Sequence, residues 1–96
     1  MQVKVRFFTN LREIANKREE TLVFEQKRVT IELVLSTLIK EYRKPFKEYI
    51  YESKTGQPKN FLQFLVNGTS ASTLNGLQTD LKDNDVLAIL PPVGGG

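Results

Sequence analysis

The sequence closes on Val86-Leu87-Ala88-Ile89-Leu90-Pro91-Pro92-Val93-Gly94-Gly95-Gly96, an apolar run that passes directly into two prolines and three glycines. Residues 86–90 predict a final buried strand with neighbours on both sides. The two prolines fix φ and disfavour helix, so they should stiffen the start of the tail. Glycine lacks a Cβ, so the last residues can enter a narrow slot. The stretch predicts a rigid strand carrying a flexible end, and the alternative is an ordinary frayed terminus.

Alternating residues near the N-terminus predict the first strand of the chain. Val3, Val5 and Phe7 alternate with Lys4 and Arg6, which favours a half-buried strand. The next residue, Phe8, falls on the otherwise polar face. Residues 21–25 predict a second strand, and the short connection favours antiparallel pairing. A short helical insertion is expected at residues 9–16, with Asn10 as its N-cap.

One long helix is expected in the middle of the sequence. Thr30 is a good N-cap, and Lys40, Arg43 and Lys44 would complement the helix dipole before Pro45 stops it. The apolar stripe expected to cover a sheet face consists of Ile31, Val34, Leu35, Leu38, Ile39 and Tyr42. A short helical turn is expected to follow at residues 46–51.

Beyond the helix, the sequence predicts one further interior strand and a hairpin. Residues 61–66 are strongly apolar, which indicates a strand inside the sheet. Asn67-Gly68 is typical of a tight turn and leads into a weak partner strand at residues 69–72. Asp83-Asn84-Asp85 resembles a calcium loop, but the sixth loop position would be Ala88, so a tight turn is the better interpretation.

Composition restricts the chemistry that the chain can perform alone. Cys and His are both absent, which excludes disulfides, thiolate nucleophiles and the commonest general base and transition-metal ligand. No metal site and no bound cofactor are therefore expected. The net charge of +3 is a modest basic bias that does not demand nucleic acid. The N-terminus lacks a signal or transit pattern and no run could span a bilayer, so we expect a cytoplasmic protein without membrane contact.

The unusual group that remains is the carboxylate of Gly96. A carboxylate is a poor electrophile, because attack on it must displace an oxide-like group. It must first become an acyl-phosphate or acyl-adenylate, and the chain has no glycine loop that could hold ATP. Another protein must therefore supply that step, and this chain must present a docking surface.

Strand parity predicts where that surface lies. If Leu87 and Ile89 face the helix, then the alternate residues of the last strand lie on the other side of the sheet. The apolar residues expected there are Val86, Ala88 and Leu90, with Phe8 and one parity class of the third strand, Phe61 and Leu65. An apolar sheet face that no helix covers marks an interaction site. The alternative is that residues 44–60 cover it.

The order of elements, together with the ending from Leu81 to Gly96, resembles the MoaD-type small subunits of molybdopterin synthase. These belong to the ThiS/MoaD family of ubiquitin-like sulfur carriers. Val5-Arg6-Phe7-Phe8 is similar to the opening strand of the family, Leu65-Val66-Asn67-Gly68 to its central hairpin, and Pro91-Pro92-Val93 before the glycines to its tail. The resemblance implies an α+β, ubiquitin-like β-grasp fold at residues 1–90. A mixed sheet would pack on one main helix, and residues 91–96 would form a flexible Gly-Gly tail.

The resemblance also implies a function and a set of partners. An ATP-dependent adenylating enzyme would activate Gly96, which becomes a thiocarboxylate. The large subunit of molybdopterin synthase would then use that sulfur to build molybdopterin, so the chain would not be catalytic on its own. ATP would be used by the partner enzyme. The residues expected to contact these partners are Phe8, Leu65, Leu90, Pro91, Pro92, Val93, Gly94 and Gly95.

Two other functions remain open at this point. A Gly-Gly ending is shared with carriers of sulfur for thiamin and tRNA, and with ubiquitin-like modifiers that are conjugated to lysines. An RNA-binding module that uses the basic residues is the third interpretation, and it would show binding that falls steeply with salt.

Overall fold

The computed structural model describes residues 1–91. Its strands, in chain order, are β1 (Gln2–Phe7), β2 (Glu19–Val23), β3 (Val29–Thr30), β4 (Gln63–Val66), β5 (Thr69–Ser70), β6 (Asp80–Leu81) and β7 (Asp85–Leu90). Its α-helices are α1 (Asn10–Ala15), α2 (Ile31–Tyr42) and α3 (Lys44–Ile50). Within residues 1–91 no helix has both the length and the apolar character needed to cross a bilayer.

The main sheet is mixed, with the strand order β2-β1-β7-β4-β5. The last strand, β7, lies at its centre, parallel to β1 and antiparallel to β4. β1 and β2 pair antiparallel as expected, and β4 is interior as expected. A separate small ladder joins β3 to β6. Because β7 has neighbours on both sides, the strand that leads into the tail is held by hydrogen bonds along both edges.

Alternation in β1 sets the buried face of this sheet. Val3, Val5 and Phe7 are at most 1% exposed, whereas Lys4 and Arg6 are exposed. The half-buried strand predicted from this pattern is confirmed. Burial of each large apolar side chain contributes about 1.5–3 kcal/mol, so a slip by one residue would be very costly.

The α2 helix covers that face. The Thr30 Oγ1 accepts a hydrogen bond from the Leu33 backbone N–H at 3.2 Å, which confirms the predicted N-cap. Ile31, Val34, Leu35 and Leu38 are fully buried, while Ile39 and Tyr42 lie at the margin of the core. The helix ends at Tyr42, and α3 follows with Pro45 in its first turn. The expected helical turn after Pro45 is therefore a short helix, with Phe46 and Ile50 in the core.

Several boundaries differ from the prediction. The partner strand expected at residues 69–72 is the shorter β5, and a 3₁₀ turn at Ala71–Thr73 follows it. Thr9, not Asn10, is the N-cap of α1, and its φ of 45° leaves the hydroxyl without a capping hydrogen bond. β2 spans Glu19–Val23, two residues earlier at each end than expected, although Phe24 keeps the parity of buried Leu22 and exchanges backbone hydrogen bonds with Met1. β4 begins at Gln63 because residues 59–62 form a turn, closed by a hydrogen bond from the Leu62 N–H to the Lys59 carbonyl at 3.1 Å.

Candidate functional site

The two faces of β7 have different surroundings. Leu87 and Ile89 are at most 1% exposed and belong to the core beneath the helices. Val86, Ala88 and Leu90 point to the opposite side of the sheet, where they are partly buried and lie outside the core cluster. The face predicted from strand parity is therefore present. We call it the open face.

The helices lie on the other side of the sheet. The Phe46 ring of α3 packs edge-on against Phe7, with 6.3 Å between the ring centroids, and stacks on Tyr42 of α2 at 5.9 Å. Phe7 belongs to the buried face of β1, so α3 packs on the same side as α2. It does not cover the open face.

The neighbours of Ala88 define the middle of the open face. Ala88 lies between Arg6 of β1 and Leu65 of β4, so Leu65 is on the open face as predicted. By the same registers Lys4 lies beside Val86, and Gln63 beside Leu90. An apolar strip along β7 and β4 is thus bordered on its β1 side by Lys4 and Arg6, and Lys4 forms an ion pair with Glu19 at 3.3 Å. Such an arrangement suits a partner with an apolar contact and acidic surroundings.

Phe8 extends this strip at the end where β7 leaves the sheet. Phe7 pairs with Ile89 in the ladder between β1 and β7. Phe8 and Leu90 follow these two residues, so both lie at the same end of the sheet. The guanidinium carbons of Arg6 and Arg12 lie 6.0 and 5.4 Å from the centre of the Phe8 ring. Each cation–π contact at an exposed site contributes about 0.5–1 kcal/mol. The partly buried ring is thus held in place beside two positive charges.

Arg12 is itself fixed by the backbone. Its Nε donates a hydrogen bond to the Phe7 carbonyl at 3.1 Å, so α1 places this cation over the end of β1. Lys4, Arg6 and Arg12 were not predicted from the sequence as part of the site. The alternation of β1 could have placed Lys4 and Arg6 there, because they lie on the same face of the strand as Phe8. Arg12 required the fold of α1.

Phe61 is the exception among the residues expected on the open face. It precedes β4 and is 47% exposed, with the Lys59 Nζ 5.9 Å from its ring centre. The ladder with β7 begins at Gln63, so strand register does not place Phe61 beside Leu65. The alternation of faces holds only within a strand, and Phe61 lies in the turn at residues 59–62, before the strand begins.

The start of β7 is pinned to the strands on both sides. The Asp83 Oδ1 accepts a hydrogen bond from the Gln2 N–H at 2.7 Å, which ties the turn to β1. The Asn67 side chain donates to the Asp85 Oδ1 at 2.9 Å and accepts from the Val86 N–H at 2.9 Å, which ties the hairpin to β7. Asn84 has a φ of 69°, as a tight turn requires. The predicted turn is confirmed, and its carboxylates receive amide donors. No cluster able to hold a metal occurs within residues 1–91.

The end of β7 leads to the last described residue, Pro91, which is partly buried. Leu90 and Pro91 lie at the same end of the sheet as Phe8. The remaining predicted site residues, Pro92, Val93, Gly94, Gly95 and Gly96, lie outside the described residues. So does the predicted flexible tail. The partner-binding role of all these residues stays a prediction.

Comparisons with known proteins identify close structural relatives. The profile of the ThiS family matches residues 5–96. Small archaeal modifier protein 3 of Haloferax volcanii is 30% identical over 96 residues, which is 100% of both chains. The solution structure of small archaeal modifier protein 1 from Methanosarcina acetivorans is 38% identical, with a TM-score of 0.81 over 99% of this chain and 96% of that one.

A further solved structure belongs to a protein with a different name. A putative molybdopterin converting factor, subunit 1, from Pyrococcus furiosus is 25% identical, with a TM-score of 0.75 over 97% of this chain and 99% of that one. These likenesses, with the mixed sheet packed on α2, confirm the predicted ubiquitin-like β-grasp fold.

Proposed function

Because the chain belongs to the ThiS family of ubiquitin-like sulfur carriers and modifiers, we propose that it acts through the carboxylate of Gly96. An adenylating enzyme joins this carboxylate to the AMP part of ATP, and pyrophosphate leaves. Hydrosulfide from the sulfur donor then attacks the acyl carbon through its sulfur, AMP leaves, and loss of the S–H proton gives the thiocarboxylate. The chain supplies the reactive group and the docking surface, and the partner enzyme supplies the ATP site. These steps belong to the cytoplasm, where ATP is available.

The observation that carries this proposal is the position of β7. Its central place in the sheet gives the tail a rigid origin at Leu90, and its open face places Val86, Ala88 and Leu90 beside that origin. A partner that docks on the open face therefore receives the tail at a defined point. Phe8, Leu65, Leu90 and Pro91 are the described residues that we assign to this contact, and residues 92–96 would extend into the enzyme.

The charges around the strip support the same partner. Arg6 and Arg12 give the β1 side of the open face a positive border, whereas Lys4 is paired with Glu19. Charges at the rim of an interface act mainly on association rate and on orientation. We therefore assign the apolar strip to affinity, and the basic border to steering of an acidic rim on the adenylating enzyme.

Donation of the sulfur in molybdopterin biosynthesis is the pathway that we propose first, with a molybdopterin synthase large subunit as the second partner. The likeness to the putative molybdopterin converting factor of Pyrococcus furiosus supports it. Conjugation of Gly96 to lysines of other proteins is the second candidate, because two relatives are named small archaeal modifier proteins. Both functions begin with the same adenylation. They differ in the nucleophile that receives the activated glycine.

Intact mass spectrometry tests the shared step. The purified protein, whose mass first verifies that it ends at Gly96, is incubated with its adenylating enzyme, ATP and a sulfur donor. We expect a mass increase equal to the exchange of one oxygen for sulfur. A variant lacking Gly95 and Gly96 should remain unchanged while unfolding at the same temperature. An unmodified full-length chain, under conditions that convert a control carrier, would refute the proposal.

The two pathways are separated by what the protein is found attached to. Copurification with a molybdopterin synthase large subunit supports the first, and isopeptide remnants of the tail on lysines support the second. Docking is tested in parallel with Ala88→Glu on the open face, matched by Ser36→Glu on the exposed side of α2. Conversion of the protein to the thiocarboxylate should be slower for Ala88→Glu and unchanged for Ser36→Glu.

A further inference from the structure

A second surface lies on the helical side of the molecule, away from the open face. The end of α2, the start of α3 and the loop after α3 enclose a groove of about 1390 Å³. Ile39 and Tyr51, both partly buried, contribute apolar area to it. Its cationic lining consists of Lys40, Arg43, Lys44 and Lys47, and its acidic lining of Glu48 and Glu52. The groove is larger than most small-molecule sites and is open to solvent, so it suits a polypeptide segment.

Most of this positive charge is not used inside the protein. Four ion pairs join cations to carboxylates within residues 1–91, and of the groove cations only Lys44 takes part, with Glu48 at 3.7 Å. Lys40, Arg43 and Lys47 belong to none of these pairs. Cations at helix ends complement the helix dipole, and that accounts for Lys40 in the last turn of α2 and Lys47 in the last turn of α3.

The dipole does not account for the backbone of Arg43. Its φ is 67° and its ψ is −148°, a region that is essentially restricted to glycine. Five non-glycine residues of the described part have positive φ, and three of them are Asn, which tolerates it best. Arg43 joins α2 to α3, donating its N–H to the Ile39 carbonyl at 2.7 Å. A glycine would make this connection with less strain. The Arg43 side chain lines the groove.

We propose that this groove binds an acidic segment of a partner protein, with an apolar residue of that segment against Ile39 and Tyr51. Carboxylates of the segment pair with Lys40, Arg43 and Lys47. Glu48 and Glu52 favour a peptide over RNA, because a peptide can place a neutral or basic residue beside them and a continuous phosphate backbone cannot. The surface is independent of the Gly96 chemistry and of the open face, so both sides of the protein can be occupied together.

Fluorescence anisotropy at low salt tests the inference on the full chain. The probe is a labelled peptide of Glu and Asp residues around a central Leu pair. The comparison probes replace Glu and Asp by Gln and Asn, or are single-stranded RNA of similar length. We expect the acidic peptide to bind more tightly than either. Equal binding of the neutral peptide, or tighter binding of RNA, would overturn the proposal.

Matched charge changes locate the site. Lys40→Glu with Lys47→Glu should weaken acidic-peptide binding at least about tenfold. Lys27→Glu with Lys82→Glu makes the same change in net charge at exposed positions outside the groove, and should weaken it far less. If both double variants lost affinity for the acidic peptide to a similar extent, net charge alone would explain the binding. That result would contradict a specific site in the groove.

Arg43→Gly separates binding from folding. We expect it to raise the melting temperature, because the strain is relieved, and to weaken peptide binding about fivefold or more. A lower melting temperature would assign the arginine a structural role, and unchanged affinity would remove it from the site. Either result overturns the inference drawn from its backbone.

Discussion

The two faces of the five-stranded sheet are made by alternate residues of the same strands, yet they are used differently. Leu87 and Ile89 are almost completely excluded from solvent on the covered face, while Val86, Ala88 and Leu90 remain partly accessible on the open face. Burial under α2 and α3 makes the covered face a source of stability. The open face contributes less to stability, so its apolar residues are available for a partner. Substitutions on the two faces should therefore change different quantities.

Leu87→Ala should produce the largest effect on stability. Leu87 is fully buried at the centre of the sheet, so its truncation removes apolar contacts and leaves a cavity. We expect a loss of about 2–5 kcal/mol in the free energy of unfolding, measured by urea denaturation. Leu90→Ala, the same change on the open face of the same strand, should cost less than about half of that. Equal losses would remove the distinction between the faces.

Phe8→Ala should show the reverse pattern. The ring is partly buried beside Arg6 and Arg12, and we assign it to partner contact. Binding to the adenylating enzyme should weaken by about 2 kcal/mol, as for an aromatic residue central to an interface, measured by calorimetry. The free energy of unfolding should fall by about 1 kcal/mol. A variant that loses stability without losing affinity would place Phe8 with the core residues.

Thr30→Ala tests the stability of α2, the helix that packs on the covered face of the sheet. The hydroxyl caps α2 by accepting from the Leu33 N–H, so its removal should cost about 1 kcal/mol. Thr37→Ala is the matched control within the same helix. The Thr37 hydroxyl donates to the Leu33 carbonyl, which is not a cap, and its loss should change stability by only a few tenths of a kcal/mol. Thermal unfolding of both variants measures the difference.

The smallest expected effect concerns the contact between α2 and the edge strand β2. The hydrogen bond with Glu20, together with burial, raises the pKa of Glu41 above its ordinary value of 4.5. A raised pKa contributes stability below the unfolded value, and this contribution is lost as pH rises through the folded value. Glu41→Gln keeps a donor toward Glu20 at every pH. Its melting temperature should exceed that of the parent at neutral pH by a small amount.

The pH profile checks this explanation. The advantage of Glu41→Gln should shrink as pH falls through the raised pKa of Glu41, because the side chain of the parent then becomes protonated as well. Glu25→Gln removes one exposed carboxylate elsewhere and serves as the control for net charge. A constant advantage across the pH range would mean that titration of Glu41 is not its source.

The sequence was most informative where a pattern repeats within one element. The alternation of β1, the Thr30 cap with its apolar stripe, and the Asn67-Gly68 turn all predicted the structure, because each depends on neighbours a few residues away. The open face also followed, since parity along β7 and β4 needs only the direction of the core. The parallel pairing of β1 with β7 was not predicted from the sequence.

The errors fall where distant contacts override a local preference. Asn is a more common N-cap residue than Thr, which favoured Asn10. In the structure Asn10 is already helical, and Thr9 before it is the N-cap. The strand predicted from Phe61 is shortened by a turn tied to α3 through the Lys59 N–H and the Ile50 carbonyl. Lys40, Arg43 and Lys44 were assigned to the end of one helix. The positive φ of Arg43 turns the chain into α3 and makes them part of a groove.

The pairing of β1 with β7 also has a consequence for synthesis of the chain. Val3 lies opposite Asp85 and Phe7 opposite Ile89, so the centre of the sheet joins residues about eighty positions apart in sequence. A nascent chain still lacking β7 leaves β1 without its inner neighbour and the core open. Folding of the sheet therefore requires that the chain be synthesised through Leu90. A chain that stops before β7 leaves the inner edge of β1 unpaired and the core incomplete, so we expect it to remain unfolded.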